Sequence, residues 1–324
     1  MSILLEKKNT LPAYVVFLVC SLTLIVYFIK FESRSYRYAN SLLSTHADQL
    51  FCNKEPVDAA FFGTSRLANA VHAEQIKDVF AENGRENMNI IDFSIGGPSH
   101  PAWSEIVGEL LEHRKVKLLI IEYSGHQKFF QKNVIYKYHF VPTFKNFIKH
   151  LSQYESLSEK LKAISSRINQ QEQNLNKTKW EGCDPDRVIK TIDVSLPRAP
   201  RPSSLNKANH KIKKTGLRKP ENFVGVEVKL EHIFNLINDV IQIANAYEVP
   251  IVFVHMPSIT QTALPKEHQK LFEEKTNKKL LAWDAGVQDF LREEIYYADE
   301  THLDADGTGF IAKWFAEVIK DNIE

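Results

Sequence analysis

The chain lacks the short motifs that mark several large classes of enzyme. It carries no glycine-rich loop of the P-loop or dinucleotide-binding type, and neither a CxxC nor an HExxH metal-binding signature. It also shows no internal repeat. The sequence therefore gives no reason to expect a bound nucleotide, a metal ion or an organic cofactor, and we predict none.

An excess of charge of one sign is also absent, because 41 basic residues stand against 40 acidic residues. A net charge of +1 argues neither for nor against an anionic partner, so any such partner needs a local patch. The proline-containing stretch 198–220 is one basic patch. We interpret it as a solvated surface loop, with contact to an anionic polymer or lipid headgroups as the alternative. We predict no nucleic-acid partner.

Cysteine is scarce, with three residues in 324. Cys20 lies in an apolar run and is expected to face lipid or to be packed. Cys52 and Cys183 can form a disulfide if the domain faces an oxidising compartment. Pairing also requires that their Cα atoms come close, which the sequence leaves open.

One long apolar run is present, because residues 11–29 contain no charged side chain. At 1.5 Å per residue, roughly 20 apolar residues cross a bilayer core of about 30 Å. A cleaved signal peptide usually has a shorter apolar core and a small-residue cleavage site, which residues 30–34 do not provide. Tyr14 and Tyr27 resemble interfacial aromatics, which argues against a buried core helix. We therefore predict a short tail at 1–10 and a transmembrane anchor at 11–29.

A stem at 30–55 and a large α/β domain at 56–324 are predicted to follow the anchor, with an insertion at about 127–222. Apolar strand patterns alternate with helical patterns, which is typical of a three-layer α/β/α domain with a mostly parallel, flavodoxin-like sheet. The predicted strands are 57–62, 88–93, 116–123, 249–254 and 280–283. The predicted helices are 69–83, 102–114, 145–175, 226–247, 266–278 and 308–323.

Residues capable of chemistry follow the predicted strands. In open α/β sheets, ligands bind beyond the carboxyl ends of the strands. The residues in question are Ser65, Gly97, His126 and His255, together with Asp299 and His302 on the loop before the last helix. Their shared placement predicts one site at that edge of the sheet.

These residues resemble the motifs of the SGNH or GDSL-like hydrolases and acyltransferases. Gly63-Thr64-Ser65 resembles the first block, Asp92 with Gly97 the second, and Asp299-Glu300-Thr301-His302 the last. The resemblance covers about residues 56–324, and the blocks occur in the family order. Two positions depart from the family pattern. Thr64 replaces the usual aspartate, and His126 falls where the third block has asparagine.

The resemblance implies a role for each residue. Ser65 would attack an acyl carbonyl, His302 would take and return its proton, and Asp299 would orient the imidazole. The oxyanion would be held by the backbone N–H groups of Ser65 and Gly97, either alone or with the His126 ring as a substitute donor.

Each residue also has a simpler interpretation. Ser65 can be a turn or N-cap residue, and Asp299 and His302 can be a capping pair. Arg66 can bind substrate or brace the site, and we favour bracing. His255 can form a wall of the cleft or be a packed strand-end histidine, and we favour packing.

The implied function is serine acyl transfer outside the cytoplasmic membrane. The expected activity is that of an O-acetyltransferase or O-acetylesterase on a cell-envelope or exported polysaccharide. Its partners would be an acyl donor, a glycan acceptor and a multi-span membrane acyltransferase. The alternatives are a simple carboxylester hydrolase or lipase, and a catalytically silent assembly or glycan-binding component.

Overall fold

The computed structural model describes residues 15, 16, 18, 19, 41–85, 87–94, 100–123, 157, 158, 160, 161, 164, 165, 182, 183, 227–256, 264–283, 296, 302, 303 and 305–323. The chain divides into two compact units. One consists of Met1–Ser44 and His139–Gly182, and its described residues include short helical pieces. The other consists of Thr45–Tyr138 and Cys183–Glu324, and it contains the sheet.

The sheet has five strands, and every neighbouring pair is parallel. The strands are β1 (Ala59–Phe62), β2 (Ile90–Asp92), β3 (Leu119–Glu122), β4 (Ile251–His255) and β5 (Leu280–Ala282). Their order in the sheet is β2-β1-β3-β4-β5. The chain thus adds β2 on one side of β1 and the later strands on the other. This confirms the predicted parallel α/β sheet and places a topological switch point between β1 and β3.

Helices cover both faces of the sheet. They are α1 (Ser41–Phe51), α2 (Ser65–Ala70), α3 (Ala73–Glu82), α4 (His100–His113), α5 (Glu227–Ala246), α6 (Lys266–Thr276) and α7 (Ala305–Ile323). Side chains alternate along each strand, so the two faces have different partners. On one face, Phe61 and Ile120 share a buried cluster with residues of α2, α3 and α7. On the other, Phe253 packs against Phe272 of α6 at 5.1 Å between ring centroids.

Helix α1 occupies the second part of the predicted stem. Its Ala47 and Leu50 are fully buried, so this part of the chain belongs to a packed core. Cys52, directly after α1, forms a disulfide with Cys183, with 5.3 Å between the Cα atoms. Arg114 also secures this segment, because its guanidinium donates hydrogen bonds to the carbonyls of Gln49 and Glu55.

Most of the predicted membrane anchor lies outside the described residues. Of residues 11–29, only 15, 16, 18 and 19 are described, and these are helical. Within the part of the chain that the structure describes, no helix is long and apolar enough to cross a bilayer.

The predicted helix at 69–83 is wrong in its extent. The structure has two helices in this region, α2 and α3, separated by the extended residues Val71 and His72. The predicted stop is correct, since Gly84 follows α3 with a φ of 77°, a conformation that glycine adopts without strain.

Candidate active site

Ser65 and His302 meet at the carboxyl end of β1. The Nε2 atom of His302 lies 3.1 Å from the Oγ atom of Ser65, although 237 residues separate them in the sequence. This distance is within hydrogen-bond reach of a serine for a base. The pair lies beside the switch point between β1 and β3, where doubly wound sheets bind their ligands.

The turn after β1 fixes where Ser65 stands. Thr64 is the N-cap of α2, and its Oγ1 accepts a hydrogen bond from the backbone N–H of Arg66 at 3.2 Å. Ser65 is therefore the first residue of the helix and not its cap. The N-cap interpretation of Ser65 is wrong, because the capping hydroxyl belongs to its neighbour.

Gly63 allows this turn to pack closely on β3. A Cβ atom at Gly63 would overlap the side chain of Leu67 and would lie 2.8 Å from Oε2 of Glu122. A residue with a side chain cannot occupy the position unless its neighbours move. The glycine thus brings the backbone before Ser65 against the end of β3.

Glu122 lies fully buried at the end of β3 and binds this turn. Its Oε2 accepts a hydrogen bond from the backbone N–H of Thr64 at 2.6 Å, and its Oε1 accepts one from the Thr64 hydroxyl at 3.2 Å. The backbone N–H of Leu67 also donates to the carboxylate. Burial raises the pKa of Glu122, while the nearby charge of Arg66 and these hydrogen bonds oppose the rise.

Arg66 extends the same network to β4. Its side chain is buried, and Nη1 donates a hydrogen bond to the carbonyl oxygen of Met256 at 3.2 Å. Of the two roles expected for Arg66, these contacts are those of a brace. A buried guanidinium keeps its charge, so it needs the Glu122 carboxylate nearby.

Three of the four N-terminal N–H groups of α2 have acceptors in this network. Those of Thr64 and Leu67 bind Glu122, and that of Arg66 binds the Thr64 hydroxyl. The fourth belongs to Ser65. As the first helical residue, Ser65 has no acceptor for this N–H within the helix. The group expected to bind an oxyanion is thus the one N–H of this turn for which the described residues show no acceptor.

His302 reaches Ser65 from the segment just before α7. Helix α7 packs on the face of the sheet that holds Phe61, and its Phe315 meets the Phe61 ring edge-on at 5.0 Å between centroids. Gly307 in the first turn of α7 lies close to the backbone of Tyr296, where a Cβ atom would be 2.5 Å from the carbonyl oxygen. The contact between Phe315 and Phe61 anchors α7, and with it the loop of His302, to β1, the strand that precedes the Ser65 turn.

Three expected members of the site, Asp299, Gly97 and His126, lie outside the described residues. No protein-family model matches the chain, and no curated protein matches it. The functional interpretation therefore depends on the described geometry. That geometry provides a hydroxyl, a base in reach of its proton, and a braced turn whose Ser65 N–H has no acceptor among the described residues.

His255 lies at the end of β4 but belongs to a different cluster. Its Nδ1 donates a hydrogen bond to the carbonyl oxygen of Tyr123 at 2.9 Å. The Tyr123 hydroxyl lies 2.6 Å from Nε2 of His268. Burial raises the pKa of Tyr123 and lowers that of His268, so the tyrosine donates to a neutral imidazole. The structure places His255 with this packed cluster on the α6 face of the sheet.

One feature of the site, Glu122, was missed from sequence. Residues 116–123 are apolar almost throughout, and the single acid among them is a signal of a buried, hydrogen-bonded carboxylate. Asp92, which the resemblance to the second block includes, lies at the end of β2. Its Oδ1 accepts a hydrogen bond from the backbone N–H of Ser94 at 2.8 Å, and burial raises its pKa to about 6. In the described ranges no group of three or more His, Cys, Asp or Glu side chains could hold a metal ion.

Proposed function

We propose that this protein is a membrane-anchored serine acyl-transfer enzyme that works through an acyl-Ser65 intermediate. The observation that carries the proposal is the 3.1 Å approach of His302 Nε2 to Ser65 Oγ at the switch point of the sheet. We further propose an SGNH-like domain and the activity of an O-acetyltransferase or O-acetylesterase on a cell-envelope or exported polysaccharide.

The chemistry follows from the positions of the atoms. Ser65 Oγ attacks an ester carbonyl while its proton passes to His302 Nε2. The oxyanion of the tetrahedral intermediate takes a hydrogen bond from the Ser65 N–H. The intermediate collapses, the leaving alcohol receives the proton from His302, and the acyl group remains on Ser65. Water or a glycan hydroxyl then repeats these steps in reverse and removes the acyl group. Asp299 would orient the His302 ring.

The proposed location is the outer side of the cytoplasmic membrane, with residues 11–29 as the anchor. The uncharged run in the sequence supports the anchor. The Cys52–Cys183 disulfide supports an oxidising compartment for the domain, since such bonds persist mainly outside the cytosol. A multi-span acyltransferase that delivers the acyl group across the membrane fits this arrangement.

The first test is labelling of the full-length protein with a fluorophosphonate probe, followed by peptide mapping. We expect the probe on Ser65, because a serine paired with a base is the reactive nucleophile. Ser65→Ala and His302→Ala are expected to lower turnover of p-nitrophenyl acetate by about 10⁴-fold or more. Ser104→Ala and His113→Ala, both in α4, are matched controls that keep activity. A folded wild type that never takes the probe on Ser65 would overturn the enzyme proposal.

The second test separates transfer from hydrolysis. The acylated enzyme is mixed with an O-deacetylated envelope polysaccharide, and the acetyl content of the glycan and the free acetate are both measured. New acetyl esters on the glycan, absent with Ser65→Ala, would support the transferase. Release of free acetate from an acetylated glycan would support the esterase. Release from p-nitrophenyl acetate alone, with no glycan reaction in either direction, would contradict the polysaccharide substrate.

A further inference from the structure

We propose that Glu122 is a positioning residue that holds the Ser65 turn in its reactive geometry. The inference rests on the proposed acyl-transfer function, and it assigns a role to a residue outside the expected triad and oxyanion hole. Glu122 touches neither the Ser65 hydroxyl nor, by this proposal, the substrate. It acts through Thr64, Arg66 and Leu67.

The first step is the number of bonds that converge on one carboxylate. The Thr64 N–H, the Thr64 hydroxyl and the Leu67 N–H all donate to Glu122. Thr64 precedes Ser65 in the sequence and Leu67 follows it, so Glu122 binds the chain on both sides of the serine. A rigid clamp on both flanks leaves the Ser65 backbone little freedom to rotate. The Oγ atom therefore stays in reach of His302.

The second step is that the clamp spans three neighbouring strands. Glu122 ends β3, the turn that it holds follows β1, and Arg66 beside it donates to Met256 directly after β4. Strands β1, β3 and β4 are adjacent in the sheet. The serine turn is thus fixed to three adjacent strands of the sheet and not only to a loop, as a preorganised nucleophile requires.

The third step is a choice among donors. Glu122 and the Thr64 hydroxyl bind every N-terminal N–H of α2 except that of Ser65. If Glu122 were lost, the N–H groups of Thr64 and Leu67 would seek other partners, and the turn would shift. A displacement of about 1 Å in a catalytic group can cost 10²-fold in rate. We therefore infer that Glu122 raises the rate of the chemical step by positioning Ser65, in addition to its role in packing.

The main experiment compares wild type, Glu122→Gln and Glu122→Asp in the full-length chain. We expect Glu122→Gln to lower kcat for p-nitrophenyl acetate about 10- to 100-fold, because a misplaced nucleophile slows the chemical step. KM should stay within about twofold, since ground-state binding does not involve Glu122. Glu122→Asp keeps the charge and is expected to recover part of the loss. A Glu122→Gln variant with wild-type kcat would overturn the inference.

A double variant separates positioning from charge balance, which is the competing role of Glu122. Arg66→Met combined with Glu122→Gln removes both buried charges, and it is expected to regain the thermal stability that Glu122→Gln alone loses. We expect kcat to stay low, because the clamp on the turn is still broken. If the double variant regains wild-type kcat, Glu122 serves only to neutralise Arg66 and the inference is wrong.

Hydrogen exchange of peptides covering residues 63–68 tests the clamp without any turnover. We expect faster exchange in Glu122→Gln and no change in Glu105→Gln, a second buried glutamate that lies in α4. If Glu122→Gln does not fold, Thr64→Val removes the hydroxyl that bonds Glu122 and gives the same readout. If exchange is unchanged in Glu122→Gln while Ser65 still reacts with the fluorophosphonate probe, this inference alone is wrong. If exchange becomes faster in Glu122→Gln but wild-type Ser65 never reacts with the probe, the proposed function is wrong instead.

Discussion

At the scale of single residues, Thr64 and Ser65 show how two adjacent hydroxyls receive different tasks. Thr64 has the extended backbone of an N-cap, with φ −85° and ψ −174°, so its hydroxyl turns back onto the N–H of Arg66. Ser65 is already helical, and its hydroxyl faces His302 instead. The sequence alone allowed Ser65 to be the cap. The backbone conformation assigns the cap to Thr64 and leaves the Ser65 hydroxyl beside His302.

Asp92 makes the stability of the domain depend on pH. Burial raises its pKa from 3.8 to about 6, so the folded state holds the proton more tightly than the unfolded state. The contribution of Asp92 is therefore most favourable below about pH 4 and is lost as the pH rises through 6. At 1.36 kcal/mol per pKa unit the loss is about 3 kcal/mol at most, and less because the side chain is partly exposed.

Asp92→Asn removes this ionisation while keeping the oxygen that accepts from Ser94. We expect the variant to be more stable than wild type by about 1–3 kcal/mol at pH 7.5, and the difference to vanish towards pH 4. Denaturant unfolding at several pH values measures it. Asp78→Asn, on the exposed face of α3, is the control and is expected to stay within about 0.5 kcal/mol of wild type throughout. A gain that is equal at pH 4 and 7.5 would contradict the titration of Asp92.

At the scale of elements, the periodicity of apolar residues predicted the type of each element, helix or strand, better than it predicted the element's first and last residues. The predicted helices 226–247 and 266–278 agree with α5 and α6 to within two residues, because both have long amphipathic patterns. The region 69–83 misled because its apolar spacing continues through Val71, which is buried although it lies between two helices. Ser65 to Ala70 carries no pattern long enough to predict a separate six-residue helix.

The junction of β1 and α2 is the element that tolerates least change. We expect Gly63→Ala to destabilise the protein by about 1–3 kcal/mol, because the new Cβ meets Leu67 and the Glu122 carboxylate. Fluorophosphonate labelling of Ser65 should slow by about tenfold or more, since the Glu122 clamp is displaced. Both are measured on the full-length variant, by denaturant unfolding and by the rate of labelling.

Gly108→Ala is the matched control for this glycine. It lies inside α4 with nothing within 4 Å of the added Cβ, so we expect it to stabilise the chain by about 0.5–1 kcal/mol. Its labelling rate should equal that of wild type. If Gly63→Ala lowers the unfolding free energy and Gly108→Ala raises it, the destabilisation at Gly63 is due to close packing. A harmless Gly63→Ala would show that the turn can relax away from Glu122.

At the scale of the whole molecule, the parallel topology predicted at which edge of the sheet the site lies, but not which side chains face it. The strand-end rule brought the ends of β1, β2, β3 and β4 to one edge of the sheet, and it pointed to Ser65 and His302 correctly as neighbours. It could not distinguish the two faces. Side chains alternate, so Glu122 reaches the Ser65 turn while the adjacent Tyr123 points to α6. That difference depends on the register of β3, which a continuous apolar run does not reveal.

The Cys52–Cys183 disulfide acts at this largest scale, because it closes a loop that contains β1, β2 and β3. For a sequence separation of 131 between the two cysteines, the chain-entropy account gives about 5 kcal/mol of stabilisation, and values of 2–4 kcal/mol are typical. We therefore expect Cys52→Ser, Cys183→Ser and the double variant each to lose about 2–5 kcal/mol of unfolding free energy. The double variant should be no worse than the singles, because all three remove the same bond.

Cys20→Ala and a reducing agent complete this comparison. Cys20 takes no part in the bond, so Cys20→Ala should have the unfolding free energy of wild type. Dithiothreitol should lower the unfolding free energy of wild type to that of Cys52→Ser, and it should leave the unfolding free energy of Cys52→Ser unchanged. Thiol counting in the unfolded, unreduced wild type should find one free cysteine of the three. Three free thiols in protein isolated from its native compartment would contradict both the Cys52–Cys183 disulfide and the oxidising location that we propose for the domain.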